Sequence, residues 1–140
     1  MFEALTGFIP RFQNIEFGEW VIDSSSDGSP AHPKQFPFVA YDRAVSEFEH
    51  AVYHFIDEHK EMELNRYREI LELASIECSS DVMESADVSR LDGKTVMALI
   101  VCATRAERFC DGALLGFFKN GCITKWLDRL EQLDMEVSKK

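Results

Sequence analysis

An uninterrupted run of apolar residues extends from Val96 to Ala103. Ser89 is a suitable N-cap before this run, and Asp92 completes a capping-box pattern three residues later. A helix that is apolar on all sides is buried by its neighbours. The run is too short to span a bilayer, which needs about 20 apolar residues. The pattern therefore predicts a central buried helix from Arg90 to Cys110.

Two further helices are predicted after the central one. Gly112 favours the left-handed conformation that ends a helix, and Asp111 is placed to cap the next one. The segment from Ala113 to Asn120 is mostly apolar and is followed by an Asn-Gly turn signal. From Cys122 to Leu133, apolar residues recur at helical spacing along one face. These short connections predict helices packed as neighbours.

The N-terminal region combines a helical pattern with a strand pattern. Met1 to Phe12 has apolar residues at helical spacing. Residues 15–22 are the best strand candidate, and the segment from Phe36 to Ala40 is its expected partner in a small hairpin. Pro37 marks the second strand as an edge. The polar segment from Asp23 to Gln35 between them is typical of a disordered loop or a lid.

Two more helices are predicted between the hairpin and the central helix. Asp42 is a good N-cap for a helix that runs to about His59, and a further helix lies within Met62 to Ala74. The segment from Ser79 to Val88 is expected to be a connector with at most one helical turn. The sequence therefore predicts a single mainly α domain over residues 1–140. Five to six helices surround a central buried helix, with a small N-terminal β-hairpin.

Four charged residues continue the buried stripe of the central helix without breaking its register. Charges in such positions are seldom fully buried unless they are paired. One interpretation is a structural ion-pair network between the arginines and the carboxylates. The other is a pocket in which two guanidiniums hold an anion and a carboxylate acts as an acid or base. With the hairpin expected beside it, the candidate ligand-binding residues are Arg105, Glu107, Arg108, Asp111, Trp20 and Tyr41.

The same region carries a recognisable sequence motif. The octapeptide Arg105-Ala-Glu-Arg-Phe-Cys-Asp-Gly112 is followed by Leu-Leu-Gly-Phe-Phe-Lys-Asn-Gly and by Trp-Leu-Asp-Arg-Leu. Gly18-Glu19-Trp20 and the segment from Pro37 to Tyr41 stand upstream. This pattern resembles a family of small bacterial proteins, a domain of unknown function with an Arg-x-Glu-Arg-Phe-x-x-Gly core. The resemblance implies no activity, and the segment from His59 to Val88 has no matching motif.

A possible metal-binding pattern lies on the helix that begins at Asp42. Glu47, His50 and His54 occupy successive turns of one face, which is a spacing that a metal site on a helix requires. A di-iron site would need a second Glu-x-x-His on another helix, and the chain has none. The three residues also lie opposite the apolar stripe. The sequence therefore predicts solvent-exposed histidines, with no metal and no cofactor.

Composition limits the classes of partner. The formal net charge is −10, and no basic stripe is present, so nucleic acid and anionic membrane surfaces are unfavourable partners. The four cysteines have no C-x-x-C spacing. Without a secretory signal they are expected to be reduced thiols in a cytoplasmic protein.

Two classes of function stay open at this stage. No Ser-His-Asp set, glycine-rich phosphate loop or zinc motif is visible. The first hypothesis is therefore a non-catalytic binding or interaction domain that acts on an unknown protein or a small anionic ligand and could form a homo-oligomer. The alternative is a small enzyme or anion-ligand-binding protein with its site around Arg105, Glu107, Arg108 and Asp111.

Overall fold

The computed structural model describes residues 1–13, 15–21, 38–110 and 112–138. Asp111 and the predicted loop from Asp23 to Gln35 lie outside the described residues. Within them the chain forms seven α-helices and one two-stranded hairpin, so the mainly α fold with a small N-terminal hairpin is confirmed. The helices are α1 (Glu3–Thr6), α2 (Arg43–Glu58), α3 (Tyr67–Leu73), α4 (Ser80–Ser85), α5 (Gly93–Ala106), α6 (Ala113–Lys119) and α7 (Cys122–Ser138). The strands are β1 (Gly18–Val21) and β2 (Phe38–Tyr41).

Helix α5 is the central helix, as its apolar run predicts. Every residue from Val96 to Thr104 is buried, and α5 packs against α2, α3, α6 and α7. The predicted N-cap is wrong, because the Asp92 carboxylate accepts the Thr95 N–H at 2.9 Å and the helix starts at Gly93. Ser89 instead belongs to a one-turn 3-10 helix (Val88–Arg90). The seventh helix is α4, where only a connector was expected.

The helix also ends four residues before its predicted end at Cys110. It stops at Ala106, and single turns carry the chain from there to Cys110. Phe109 and Cys110 are exposed in this stretch. Gly112 adopts the expected left-handed conformation, with φ 89°, but it precedes α6 rather than closing α5.

A cluster of phenylalanine rings joins the N-terminal segment to the helices. The rings of Phe12, Phe48 and Phe118 meet edge to face, with centroid separations of 5.1–5.9 Å. Phe17, just before β1, stacks on Phe118 at 4.8 Å. These contacts place the start of the hairpin against α6.

The hairpin is antiparallel and leads directly into α2. Gly18 is paired with Tyr41, and Trp20 with Val39. Because side chains alternate along a strand, Trp20 and Tyr41 lie on the same face of the hairpin as diagonal neighbours. The predicted cap of α2 is confirmed, since the Asp42 carboxylate accepts the Ala44 N–H at 2.9 Å.

The cysteines differ from expectation. The sulfur atoms of Cys78 and Cys102 are paired as a disulfide that joins the segment after α3 to α5. Cys110 and Cys122 are free, so the expectation of four reduced thiols is wrong for the first pair. None of the helices in the described ranges is long and apolar enough to cross a membrane.

Candidate functional site

The α5–α6 connection, residues 107–112, lies where the predicted site residues of α5 meet the hairpin. Its first residue, Glu107, folds back onto the start of α6. One carboxylate oxygen accepts the Gly112 N–H at 2.9 Å and the other accepts the Leu114 N–H at 3.0 Å. A carboxylate is a strong acceptor for the unpaired N–H groups at the start of a helix. Glu107 therefore caps α6 from five residues before its N-cap residue, Gly112.

Tyr41 completes this cap from the hairpin. Its hydroxyl oxygen accepts the Leu115 N–H at 3.1 Å. Burial, followed by a hydrogen bond to the Glu107 side chain, raises the pKa of Tyr41 well above its usual range. The phenol is therefore neutral at physiological pH and its O–H donates to the Glu107 carboxylate. Tyr41 and Glu107, both predicted site residues, are therefore neighbours in the folded protein.

A second carboxyl group, which the sequence analysis missed, approaches this pair from α2. Glu49 is partly buried, and its pKa is raised first by burial and then by the charge of Glu107, while His50 lowers it. Glu49 lies beside the apolar stripe of α2, and helical periodicity alone gave it no distinguishing signal. The charge of Glu107 therefore adds to burial in disfavouring ionisation of Glu49.

The two arginines contact tyrosines instead of carboxylates. The Arg105 guanidinium lies 5.3 Å from the Tyr67 ring centroid and donates to the Asn65 side-chain oxygen at 2.8 Å. Its Nε atom is buried without a hydrogen-bond partner. Arg108 is exposed and lies 5.5 Å from the Tyr53 ring centroid. Within the described ranges neither arginine forms an ion pair with Glu107 or another carboxylate.

Trp20 lies on the other side of the connection, against Gly112. A Cβ atom built on Gly112 would overlap the edge of the Trp20 ring. The outer part of the indole stays open to solvent, with 47% of the residue exposed, and Phe109 is 80% exposed. The structure thus gathers Trp20, Tyr41 and Glu107 around one turn, whereas Arg105 faces α3.

Comparison with known proteins identifies the family. The model of DUF6508, a family of unknown function, matches residues 1–136. The chain belongs to the DUF6508 family. No curated protein and no solved structure shows a match to it.

The three candidate metal ligands of this DUF6508 protein have separate neighbours. Glu47 contacts Arg11 and accepts from Arg43 Nε at 3.0 Å, and these arginines, Arg11 first, lower the Glu47 pKa. His54 lies 3.4 Å from Glu58, and His50 is exposed. In the described portion of the chain no three His, Cys, Asp or Glu residues are grouped as a metal site would require.

Proposed function

We propose that this DUF6508 protein is a non-catalytic binding domain that docks a partner protein beside the α5–α6 connection. The observation that supports this most directly is that two aromatic residues, Trp20 and Phe109, are exposed to solvent at the same connection. With the stacked pair Tyr53 and Arg108, they form what we call the aromatic docking face. Tryptophan, tyrosine and arginine dominate the binding energy of protein interfaces.

The contacts that hold the aromatic docking face in place favour binding. Trp20 is held against Gly112, and the connection itself is fastened by Glu107 and Tyr41. A face whose side chains are already ordered loses little conformational entropy when a partner docks.

The chemistry of the nearby polar groups gives less support to an enzyme. Both Glu107 oxygens already accept backbone N–H groups, and the raised pKa of Tyr41 makes its hydroxyl a poor base at neutral pH. The proposal therefore assigns these residues to positioning the face.

The partner we propose is a protein of neutral or positive charge, because the chain carries a net charge of −10. Two copies of this chain would repel each other at long range, so self-association is an outcome to be tested rather than the proposal.

The test is comparative crosslinking in cells of the source organism, followed by affinity measurement with the purified partner. Phe109→Ser removes the most exposed aromatic side chain of the face. Leu73→Ser is the matched control, because Leu73 is 90% exposed on α3. We expect Phe109→Ser to weaken the complex at least about tenfold, as for an interface anchor, and Leu73→Ser to leave the Kd unchanged. Equal effects of the two variants on every purified partner would overturn the proposal.

A second candidate function is the binding of a small anion by Arg105 and Arg108. The supporting observation is that neither guanidinium has a carboxylate partner within the described ranges, although Arg105 is partly buried. An unpaired guanidinium remains available for a carboxylate or phosphate ligand.

A further inference from the structure

We infer that the outer edge of β1 is a docking site for an extended, basic peptide segment, which would bind as a third strand of the hairpin. This inference rests on the proposed binding function and specifies the kind of partner. Its starting point is the direction of the backbone hydrogen bonds in β1.

The backbone N–H and C=O groups of alternate residues in β1 point away from β2. The Asp42 N–H donates to the Phe17 oxygen at 2.8 Å, which makes Phe17 and Asp42 a hydrogen-bonded pair of the antiparallel ladder. Hydrogen-bonded and non-hydrogen-bonded pairs alternate in such a ladder. Glu19 and Val21 therefore bond to β2, whereas the N–H and C=O groups of Gly18 and Trp20 point outward. The described part of the chain places no third strand beside them.

A groove follows this edge. It has a volume of about 440 Å³ and is lined by the consecutive residues 15–20 and by Lys119 at the end of α6. The groove follows the backbone of β1 from Gly18 to Trp20 and the segment of residues 15–17 that leads into it. The outward N–H and C=O groups of Gly18 and Trp20 are available for backbone hydrogen bonds to an added strand. The stacking of Phe17 on Phe118 holds the edge beside α6.

The charged residues that line the groove indicate which kind of peptide it binds. Glu16 and Glu19 are exposed in the lining, and Lys119 is its one basic residue, so two carboxylates and one ammonium leave a net charge of −1. A second copy of β1 would bring two more carboxylates to the same edge, where like charges on adjacent strands are destabilising. A segment with lysine or arginine satisfies the carboxylates instead. Glu19 lies in β1 and Glu16 lies three residues before it, so the matching basic residues of an extended peptide are also about three residues apart.

Trp20 adds an apolar contact to this edge. Its indole is partly exposed and lines the groove. In strand addition, main-chain hydrogen bonds give affinity and side-chain contacts give selectivity. The expected ligand therefore combines two basic residues with β-branched residues, which favour an extended backbone.

The test uses an acetylated, amidated eight-residue peptide with lysine at its third and sixth positions and valine or threonine elsewhere. Binding is followed by isothermal titration and by hydrogen exchange of individual amides. We expect exchange of the Gly18 and Trp20 N–H groups to slow at least about tenfold at saturation, since hydrogen-bonded amides exchange only on opening. The Glu19 and Val21 N–H groups, which already bond to β2, should change little.

A pair of variants separates the backbone donor from the side chain. Trp20→Val and Trp20→Pro both remove the indole, but only proline removes the outward N–H, and it leaves the bonds to β2 in place. Proline should weaken binding about tenfold relative to valine, which corresponds to one lost backbone hydrogen bond. If Trp20→Pro fails to fold, a peptide N-methylated at alternate residues makes the same comparison against the wild-type protein. A peptide with glutamate in place of lysine should not bind measurably.

The outcomes distinguish this inference from the broader proposal. Binding without protection of the Gly18 and Trp20 amides, or no binding at millimolar peptide, would overturn strand addition at β1. If a purified partner nevertheless depends on Phe109, the aromatic docking face stands and only the edge site fails. If the peptide protects β1 but no partner responds to Phe109→Ser, the edge is the binding site and the aromatic docking face fails.

Discussion

The indole ring of Trp20 lies against Gly112 in the space that a side chain at position 112 would fill. Gly112 has φ 89° and immediately precedes α6. One residue therefore satisfies two requirements, a left-handed backbone and close approach of the hairpin. This contact fixes the position of Trp20 against the α5–α6 connection.

The first prediction is that Gly112→Ala destabilises the fold by about 2–3 kcal/mol in urea unfolding. The left-handed conformation costs alanine about 1 kcal/mol, and displacement of the indole adds a typical overpacking cost of about 1–2 kcal/mol. Gly121→Ala is the matched control, because Gly121 has φ 84° and open space around it. Gly121→Ala should lose only the stability that the left-handed conformation costs alanine, about 1 kcal/mol. Equal losses at the two positions would mean that Trp20 does not pack on Gly112.

The second prediction concerns the cap of α6. Tyr41→Phe removes the hydroxyl that accepts the Leu115 N–H, and Glu107→Ala removes the acceptor of the Gly112 and Leu114 N–H groups. We expect losses of about 1 kcal/mol for the first and about 2 kcal/mol for the second, in proportion to the partly buried donors left unpaired. Glu131→Ala, which removes an exposed carboxylate from α7, should change stability by less than about 0.5 kcal/mol.

Because Tyr41 and Glu107 are hydrogen-bonded to each other, the two substitutions should not be additive. A double-mutant cycle measures the coupling. Strictly additive losses would contradict a shared cap.

The sequence predicted the elements whose signals are local. A continuous apolar run predicted α5, and the Asp42 cap predicted the start of α2. The hairpin was predicted because one strand pattern near the N-terminus required a second strand to pair with. Gly112 was recognised as a left-handed position, which is a property of one residue. These features depend on short segments whose physical requirements are visible in the residue types.

The site was predicted only in part, because its contacts are decided by distant or irregular backbone. Glu107 was extrapolated along an ideal helix that in fact ends at Ala106, so its turn back to Gly112 and Leu114 was not foreseen. The tyrosine partners of Arg105 and Arg108 come from α2 and α3, and no spacing rule links them. Opposite charges near each other in the sequence suggested ion pairs. In the folded protein, the packing of α2 and α3 instead places the rings of Tyr53 and Tyr67 beside the two guanidiniums.

The third prediction is a pH dependence that comes from Glu49. Its pKa is raised in the folded protein, by burial and then by the charge of Glu107, so the folded state binds its proton more tightly than the unfolded state. Stability should therefore fall as the pH rises from the ordinary carboxyl pKa of 4.5 through the raised value. Glu49→Gln, which is neutral throughout, should be more stable than wild type at pH 7 and lose that advantage below about pH 4.

Urea unfolding of both proteins across this pH range measures the effect, and Glu131→Gln on the surface of α7 is the control. A Glu49→Gln protein that is less stable than wild type at pH 7 would mean that the ionised carboxylate has a stabilising partner, contrary to the environment described here.

The last prediction tests whether Arg105 and Arg108 hold an anion. Arg105 lies in the last turn of α5 and Arg108 in the connection that follows it. Neither has a carboxylate partner in the described ranges, and they contact different tyrosines. The C-terminal end of a helix is the negative end of its dipole and disfavours an anion, so the two guanidiniums must supply the attraction. We expect weak binding. Sulfate or phosphate at about 50 mM should raise the Tm by about 1–3 °C over chloride of equal ionic strength.

Arg108→Ala should abolish this rise, whereas Arg66→Ala, which removes the same charge from an exposed site, should preserve it. Equal behaviour of the two variants would show a general effect of excluded salts on the folded state. DNA and RNA should give no gel shift at physiological salt, because a chain of net charge −10 repels a phosphate backbone. A flat anion screen together with a positive gel shift would refute the small-anion site.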